Sequence, residues 1–481
     1  MHLMNLFDLS LKGRKNKIGL VYNEKHYSFG EIDLRSNQMA ALLLGKGFLP
    51  GDRMAVYLEN CIELIDLYLA AIKTGIIFVP INILYKEREL SHILTDAAPK
   101  ALIANGPVPG GFDAWQLVTL NEEINNYATD PIATIVNTGD TAAAIVYTSG
   151  TTGASKGAIL THNNFITNGI NIVTCWQITE QDNFLLALPL FHVHALANGL
   201  HAWLISGCCM KLLVRFEHQH AAQEFVSFKP TLFFGVPTVY IRLLDQHNSI
   251  AKEIGANIRL FVCGSAPLPA HIMEAFAIKY GHVILERYGM TETLMNISNP
   301  YCGERRAGTV GFPLPGISAK IILPDGSLAK VDEEGEVYIK GPNVFAGYWN
   351  RDSATAEAFV DGYFKTGDMG VVSEDGYFTL KGRKSDLIIS GGFNIYPREM
   401  EEFLLEQTGV IEAAVVGVPH ETRGEVPVAY IVAETNLDLA ELEELCKQSF
   451  ASFKLPRTFI KVDGLPRTAL GKVQKHLLPK P

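Results

Sequence analysis

Paired cysteines, runs of basic residues and long apolar stretches are what this chain has least of, and each shortage narrows its class. Its seven cysteines are an odd number, include the neighbours Cys208 and Cys209, and nowhere fall into a C-x-x-C spacing. That argues against a disulfide framework or a cysteine zinc site and suits reduced thiols in a cytoplasm. Lys and Arg number 41 against 51 Asp and Glu, a formal net charge of -10. An acidic chain without a basic run argues against nucleic acid and anionic membrane as main partners. Lys12, Arg14, Lys15 and Lys17 cluster near the N-terminus, but no apolar core follows them, so no secretory signal is read there. Residues 184–210 contain no Asp, Glu, Lys or Arg. Pro189, His192, His194, Asn198 and His201 within that stretch are costly in hydrocarbon, so it reads as a buried core helix rather than a membrane span. Internal repeats and low-complexity segments are missing as well.

What is present is an ordinary globular composition, 48% hydrophobic and 19% charged, spread over 481 residues. That length exceeds what one core supports and points to two or three domains. The densest local signal is Tyr147-Thr-Ser-Gly-Thr-Thr-Gly-Ala-Ser-Lys-Gly157. Glycines let a backbone turn several N–H groups toward one anion, the hydroxyls add donors, and Lys156 adds a full charge. Such a set suits a polyphosphate. It is not a Walker A loop, because Lys156 is followed by a second apolar strand rather than a helix. The bland alternative is a Ser/Thr/Gly surface turn.

Along the chain, helical spacing over residues 31–47, 62–73 and 87–96 alternates with extended stretches at 54–58, 76–79 and 101–104. The alternation predicts a mostly parallel sheet covered by helices on both faces. Further strands are read at 142–146, at Phe233-Phe-Gly-Val-Pro-Thr238 and at Leu260-Phe-Val-Cys-Gly-Ser-Ala-Pro267, with helix at 162–176. Ligands collect beyond the carboxyl ends of such strands. From Val310 the texture changes to short alternating strands with Asp325-Gly326 and Asp361-Gly362 turns, a small β unit. After the polar Lys381-Gly-Arg-Lys-Ser-Asp386, new periodicity predicts a separate α+β unit of normal small-domain size. The expected fold class is therefore α/β: a large N-terminal domain over residues 1–384 and an α+β C-terminal domain over 385–481.

Three further stretches carry chemistry. In Tyr288-Gly-Met-Thr-Glu-Thr293, an aromatic can lie on a purine, Gly289 allows close backbone approach, and Glu292 can hold Mg²⁺ beside phosphates. Alone the motif is also a common helix start. In Tyr363-Phe-Lys-Thr-Gly-Asp368, a carboxylate after a tight turn suits two ribose hydroxyls, though a solvated hairpin Asp reads the same way. Lys472, in Pro466-Arg-Thr-Ala-Leu-Gly-Lys472, is by itself a tail lysine.

Together and in this order, these stretches resemble the signatures of the acyl-adenylate-forming superfamily of acyl-CoA synthetases, luciferases and peptide-synthetase adenylation domains. The glycine loop is similar to T-S-G-T-T-G-x-P-K-G, with Ser155 in place of proline, and the others to Y-G-x-T-E, Y-x-x-T-G-D and P-x-x-x-x-G-K. Gly335-Glu-Val-Tyr-Ile-Lys-Gly and Gly347-Tyr-Trp-Asn fit between them. The resemblance implies an ATP-dependent acid–thiol ligase that forms acyl-AMP and then acyl-CoA, with ATP, Mg²⁺ and coenzyme A. It implies nucleotide binding by Thr148, Ser149, Gly150, Thr151, Thr152, Gly153 and Lys156. Ser265, Ala266, Pro267, Tyr288, Gly289, Thr291, Asp368 and Arg383 join that set. Metal ligation would fall to Thr151 and Glu292, and catalysis to Lys472, Glu292 and His192. A mobile C-terminal domain would pivot at Ser385, where most relatives carry Asp or Lys.

Glu286-Arg287 before Tyr288, with Gly-Ser-Ala-Pro-Leu and Phe191-His-Val-His194, looks most like malonyl-CoA synthetases. His192, Arg287 and Arg242, the last taken to stand at a neighbouring strand end, are then the candidates for holding a small dicarboxylic acid such as malonate. Glu286 and Arg287 should not pair, because successive strand residues face opposite ways. Fatty acyl or aryl acid ligases, a carrier-protein-loading adenylation enzyme and a non-catalytic nucleotide-binding protein are the alternatives. A cytoplasmic monomer or homodimer is the expected form.

Overall fold

The computed structural model describes residues 1–132, 138–148, 155–390, 393–395, 397–420, 423–435, 437–450, 452, 454–468 and 472–479. A nine-stranded sheet has at its centre Leu285–Met290, Leu260–Cys263, Leu232–Gly235, Asn183–Leu186, Cys209–Leu212 and Ile18–Tyr22, all paired in parallel. A seven-stranded sheet is built around Ala142–Thr148, Ile77–Pro80, Arg53–Tyr57 and Ala101–Ala104, again in parallel. Parallel strands need crossovers, and the helices that supply them bury both faces of each sheet. Their boundaries follow local chemistry. Ser28 and Glu31 form a reciprocal capping box at the start of Phe29–Gly45, and Gly75, at φ 70°, ends Ile62–Thr74 in the left-handed region.

Two smaller sheets follow. An antiparallel one combines Ser318–Ile322, Gly335–Lys340, Tyr363–Val372, Phe359–Val360 and Phe378–Arg383. The last joins Ile388–Ser390, Phe393–Ile395, Val410–His420, Gly424–Ala433 and Thr458–Lys461, with helices Pro397–Leu405 and Leu439–Ser449. The result is a mixed α/β chain with a large N-terminal domain and a smaller C-terminal one.

Three local expectations are corrected. Residues 184–210 are not one helix: strand Asn183–Leu186, the helical turns His194–Leu200 and His201–Ser206, and strand Cys209–Leu212 share the stretch. Each of these elements is buried, so the apolar run carries no period that separates them. Strand Leu285–Met290 runs through Tyr288 and Gly289, so the motif opens on a strand and not at a helix start. Asp368 lies inside strand Tyr363–Val372, where Gly367 at φ 71° bends the chain without ending it. Among the described residues, no helix is long and apolar enough to cross a membrane.

The histidines of that apolar stretch sit in the core. His201 is fully buried among Phe7, Tyr68 and Phe165, with its Nε2 2.6 Å from the Tyr68 hydroxyl. Burial drives its pKa from 6.5 to about 3. The unfolded chain therefore takes up a proton near pH 6.5 that the folded chain refuses until about 3, and stability falls as pH drops through that window. His201→Gln should remove this contribution, flattening the pH dependence by an amount on the order of a few kcal/mol. Urea midpoints of both proteins across that pH range check it.

Candidate active site

The nucleotide motifs converge where the nine-stranded sheet meets the small antiparallel one. Gly289 is required by the hairpin with Leu294–Ser298: a Cβ there would stand 1.9 Å from the Leu294 carbonyl oxygen. The preceding Tyr288 is buried and donates its hydroxyl to Asp368 Oδ2. Asp368 Oδ1 meets Arg383 Nε at 2.8 Å, and Arg383 Nη1 donates to the Thr366 carbonyl at 2.9 Å. Burial works against the Arg383 charge, but Asp368, Tyr288 and Glu292 outweigh it and hold its pKa above normal. Asp368 and Arg383 are register partners on adjacent strands, a pairing that strand geometry enforces.

Glu292 follows in the turn, buried, with its carboxyl pKa raised by desolvation. Tyr348 donates to its Oε1 at 3.1 Å. The same Tyr348 ring carries Lys156 Nζ 4.9 Å from its centroid. Tyr348 thus ties the lysine of the glycine loop to the acidic residue of the second motif, and no sequence reading singled it out. The Gly347-Tyr348-Trp-Asn match was its one signal. Thr148 ends its strand with the hydroxyl turned to the Lys156 carbonyl at 3.4 Å. Ser149, Gly150, Thr151, Thr152 and Gly153 lie outside the described residues. Thr291 is half-buried in the turn beside Glu292.

Lys472 arrives from the C-terminal unit, braced by its N–H to Thr468 Oγ1 at 3.2 Å. Burial and the nearby Arg383 depress its pKa, against the pull of Asp368 and Asp386. It therefore stands in the field of the Asp368–Arg383 pair. Ser385 is exposed in the tight turn Lys384–Asp386. The neighbouring Lys384 is ion-paired with Glu336 at 2.8 Å, and Glu336 also accepts from the Gly367 N–H.

A second cluster adjoins the first along the same strand. Arg287 is 5% exposed, and its Nε and Nη2 have no partner. Burial lowers its pKa to about 10. His194 and His192 share its surroundings, and desolvation pushes His192 down to about 4 and His194 well below its usual value. His194 Nδ1 lies 3.0 Å from Ser265 Oγ, while Nε2 of both histidines lacks a partner. Ser265 holds φ 72°, an unusual conformation for a residue with a side chain. Ala266 is half-buried and Pro267 exposed in the turn that follows. Glu286 faces the other way, accepts from the Leu268 N–H at 3.1 Å, and is raised by burial to about 7.

Arg242 does not join Arg287. It belongs to helix Pro237–Leu243 rather than to a strand end, and that helix turns Val239, Tyr240 and Leu243 inward, leaving Arg242 exposed. Pro237, one residue beyond Val236 at the end of the Leu232–Gly235 strand, starts the helix and redirects the side chain. His194 is the residue that sequence reasoning passed over in favour of His192; only packing distinguishes them.

Similarity to known proteins puts the chain among the AMP-forming acid–CoA ligases. It belongs to the AMP-binding enzyme family: residues 7–349 match that family, and residues 399–472 match the AMP-binding enzyme C-terminal domain. A malonate–CoA ligase of Arabidopsis thaliana is 33% identical, over 99% of this chain and 89% of its own length. A 2-succinylbenzoate–CoA ligase of Bacillus licheniformis is 34% identical, over 96% of both. The crystal structure of ATP-bound MatB from Rhodopseudomonas palustris matches with a TM-score of 0.92 at 37% identity, over 99% of this chain and 98% of that one. The chain is an ATP- and CoA-using ligase.

Asp368→Asn should leave Arg383 buried without its counter-charge and weaken ATP binding by roughly 1–3 kcal/mol. Calorimetric titration of ATP, wild type against variant, measures it.

Proposed function

We propose that the chain activates a small dicarboxylic acid, malonate or methylmalonate, to its CoA thioester. The observation that carries this reading is the buried Arg287 guanidinium with Nε and Nη2 both unpartnered. Those two donors share one edge of the guanidinium plane, the edge that grips a carboxylate with two parallel bonds. A monocarboxylic alkyl or aryl acid would leave that charge buried and unpaired, which is costly. His192 and His194, neutral in this environment, would add donors without adding charge.

In the first half-reaction on this reading, an oxygen of the other carboxylate attacks the α-phosphorus of ATP and pyrophosphate leaves. Lys472 and Lys156 offset charge on the phosphoryl oxygens. The loop Thr148, Ser149, Gly150, Thr151, Thr152 and Gly153 cradles the phosphates, with Ser265, Ala266 and Pro267 at the nucleotide's flank. Asp368 and Arg383 take the ribose, and Tyr288, Gly289 and Thr291 the adenine side. Mg²⁺ suits Glu292. Burial alone favours its protonated form, a penalty that a dication would relieve. No group of three His, Cys, Asp or Glu side chains able to hold a metal ion stands among the described residues. On this reading an ion would be held by one carboxylate and the substrate phosphates, with Thr151 as the other protein ligand. Such an ion supplies Lewis-acid stabilisation of the phosphates.

In the second half-reaction, the CoA thiol attacks the acyl carbon and AMP leaves. For this, residues 385–481 rotate against residues 1–384 about Ser385, withdrawing Lys472. Free cysteines throughout the described chain suit a cytoplasmic site of action.

Two measurements test these assignments. Steady-state kcat/KM on malonate, hexanoate and an aryl acid should favour malonate, with Arg287→Ala losing about 2–5 kcal/mol of that preference. A wild type that prefers hexanoate overturns the dicarboxylate reading. Lys472→Ala should slow adenylate formation by roughly 3–4 kcal/mol while sparing thioester formation from supplied acyl-AMP. Single-turnover assays of each half-reaction separate the two, and equal loss in both sinks the role given to Lys472.

A further inference from the structure

We propose that Gly264 is a specificity-determining residue that acts by seating Arg287, an inference that rests on the dicarboxylate reading. Strands Leu260–Cys263 and Leu285–Met290 run parallel with Cys263 opposite Glu286, so Gly264 falls beside Arg287. A Cβ on Gly264 would stand 2.5 Å from Arg287 Cζ, 2.6 Å from Nε and 2.7 Å from Nη1. All three are well inside van der Waals contact, so the guanidinium lies flat on a bare α-carbon and only glycine leaves it room. Gly264 is not among the residues with positive φ, so its backbone asks nothing that alanine cannot adopt. Space for the arginine is the reason for glycine here.

Tyr240, which also neighbours Arg287, is held firmly. Tyr240 is fully buried, donates to the Val262 carbonyl at 2.7 Å, and is itself packed against Gly235, where a Cβ would come within 2.9 Å of its ring. Phe233, Phe261 and Phe276 pack edge-on against Tyr240. A side chain at 264 therefore displaces the mobile end of Arg287, by about an ångström, rather than the backbone or the aromatic wall. Bidentate pairing tolerates little error of position, so the displaced guanidinium loses the second carboxylate. Acid preference at this site then depends on two positions: Arg287 supplies the charge, and Gly264 decides where it sits.

The test compares wild type, Gly264→Ala, Arg287→Ala and the double variant through the ratio of kcat/KM for malonate to that for butanoate. Gly264→Ala should lower the ratio about tenfold or more, chiefly through KM for malonate. In the Arg287→Ala background the same change should lower it no further, because no guanidinium remains to be displaced. A Gly264→Ala enzyme that keeps the wild-type ratio, or whose effect adds in full to that of Arg287→Ala, overturns the proposal. So does a Gly264→Ala chain that fails to fold, since the backbone rather than the arginine would then have given way. A wild type that prefers butanoate overturns the dicarboxylate reading and this one with it. A malonate-preferring wild type whose preference survives Gly264→Ala overturns this one alone.

Discussion

The Asp368 carboxylate is the joint on which the active architecture depends. It accepts the Tyr288 hydroxyl from the nine-stranded sheet and the Arg383 guanidinium from the strand that leads out to the C-terminal unit. One anion thus links the nine-stranded sheet, the small antiparallel sheet and the strand that leads toward the C-terminal unit. Lys472 comes to rest in the field of the same pair. A buried charge pair of this kind adds little net stability, because desolvation offsets most of its attraction. Its effect is on position. With both oxygens engaged, the carboxylate, the phenol and the guanidinium have one mutual arrangement, and the groups around them inherit it.

The adjoining Arg287 cluster follows the opposite rule. Arg287 and His194 are buried and His192 is half-buried, yet Arg287 Nε and Nη2 and Nε2 of both histidines are left without protein partners. Desolvation shifts the pKa of all three downward. A folded chain sustains such groups only where the rest of the core over-determines the site, and here the strands beneath are fully paired and packed by aromatics. The two walls meet on a single strand, where Arg287 and Tyr288 point to opposite faces. The pleat of that strand keeps Arg287 and the Tyr288–Asp368–Arg383 network side by side without allowing them to neutralise one another.

The chain's own order of residues determined the class of fold and the run of motifs that mark the family. Those signals are local. A glycine loop between two apolar strands, an alternation of periods near 3.6 and 2, and short spaced motifs need no knowledge of distant contacts. Even the separation of Glu286 from Arg287 was legible, because it rests on the two-residue period of a strand.

What only the tertiary structure decided was which of these residues meet and which way they face. Tyr348 bridges Lys156 and Glu292 across far-separated segments, and no pattern around Tyr348 carries that information. His194 rather than His192 reaches Ser265, a choice made by how the helical turn after the loop docks on the sheet. Arg242 leaves the acid cluster because a proline starts a helix one residue after the strand ends. Residues 184–210 divide into strand, helix and strand because all their faces are buried, which erases the periodicity that would have told them apart. Local chemistry specified the parts. Packing in a low-dielectric core, where position and burial set both contact and charge, specified how they act together.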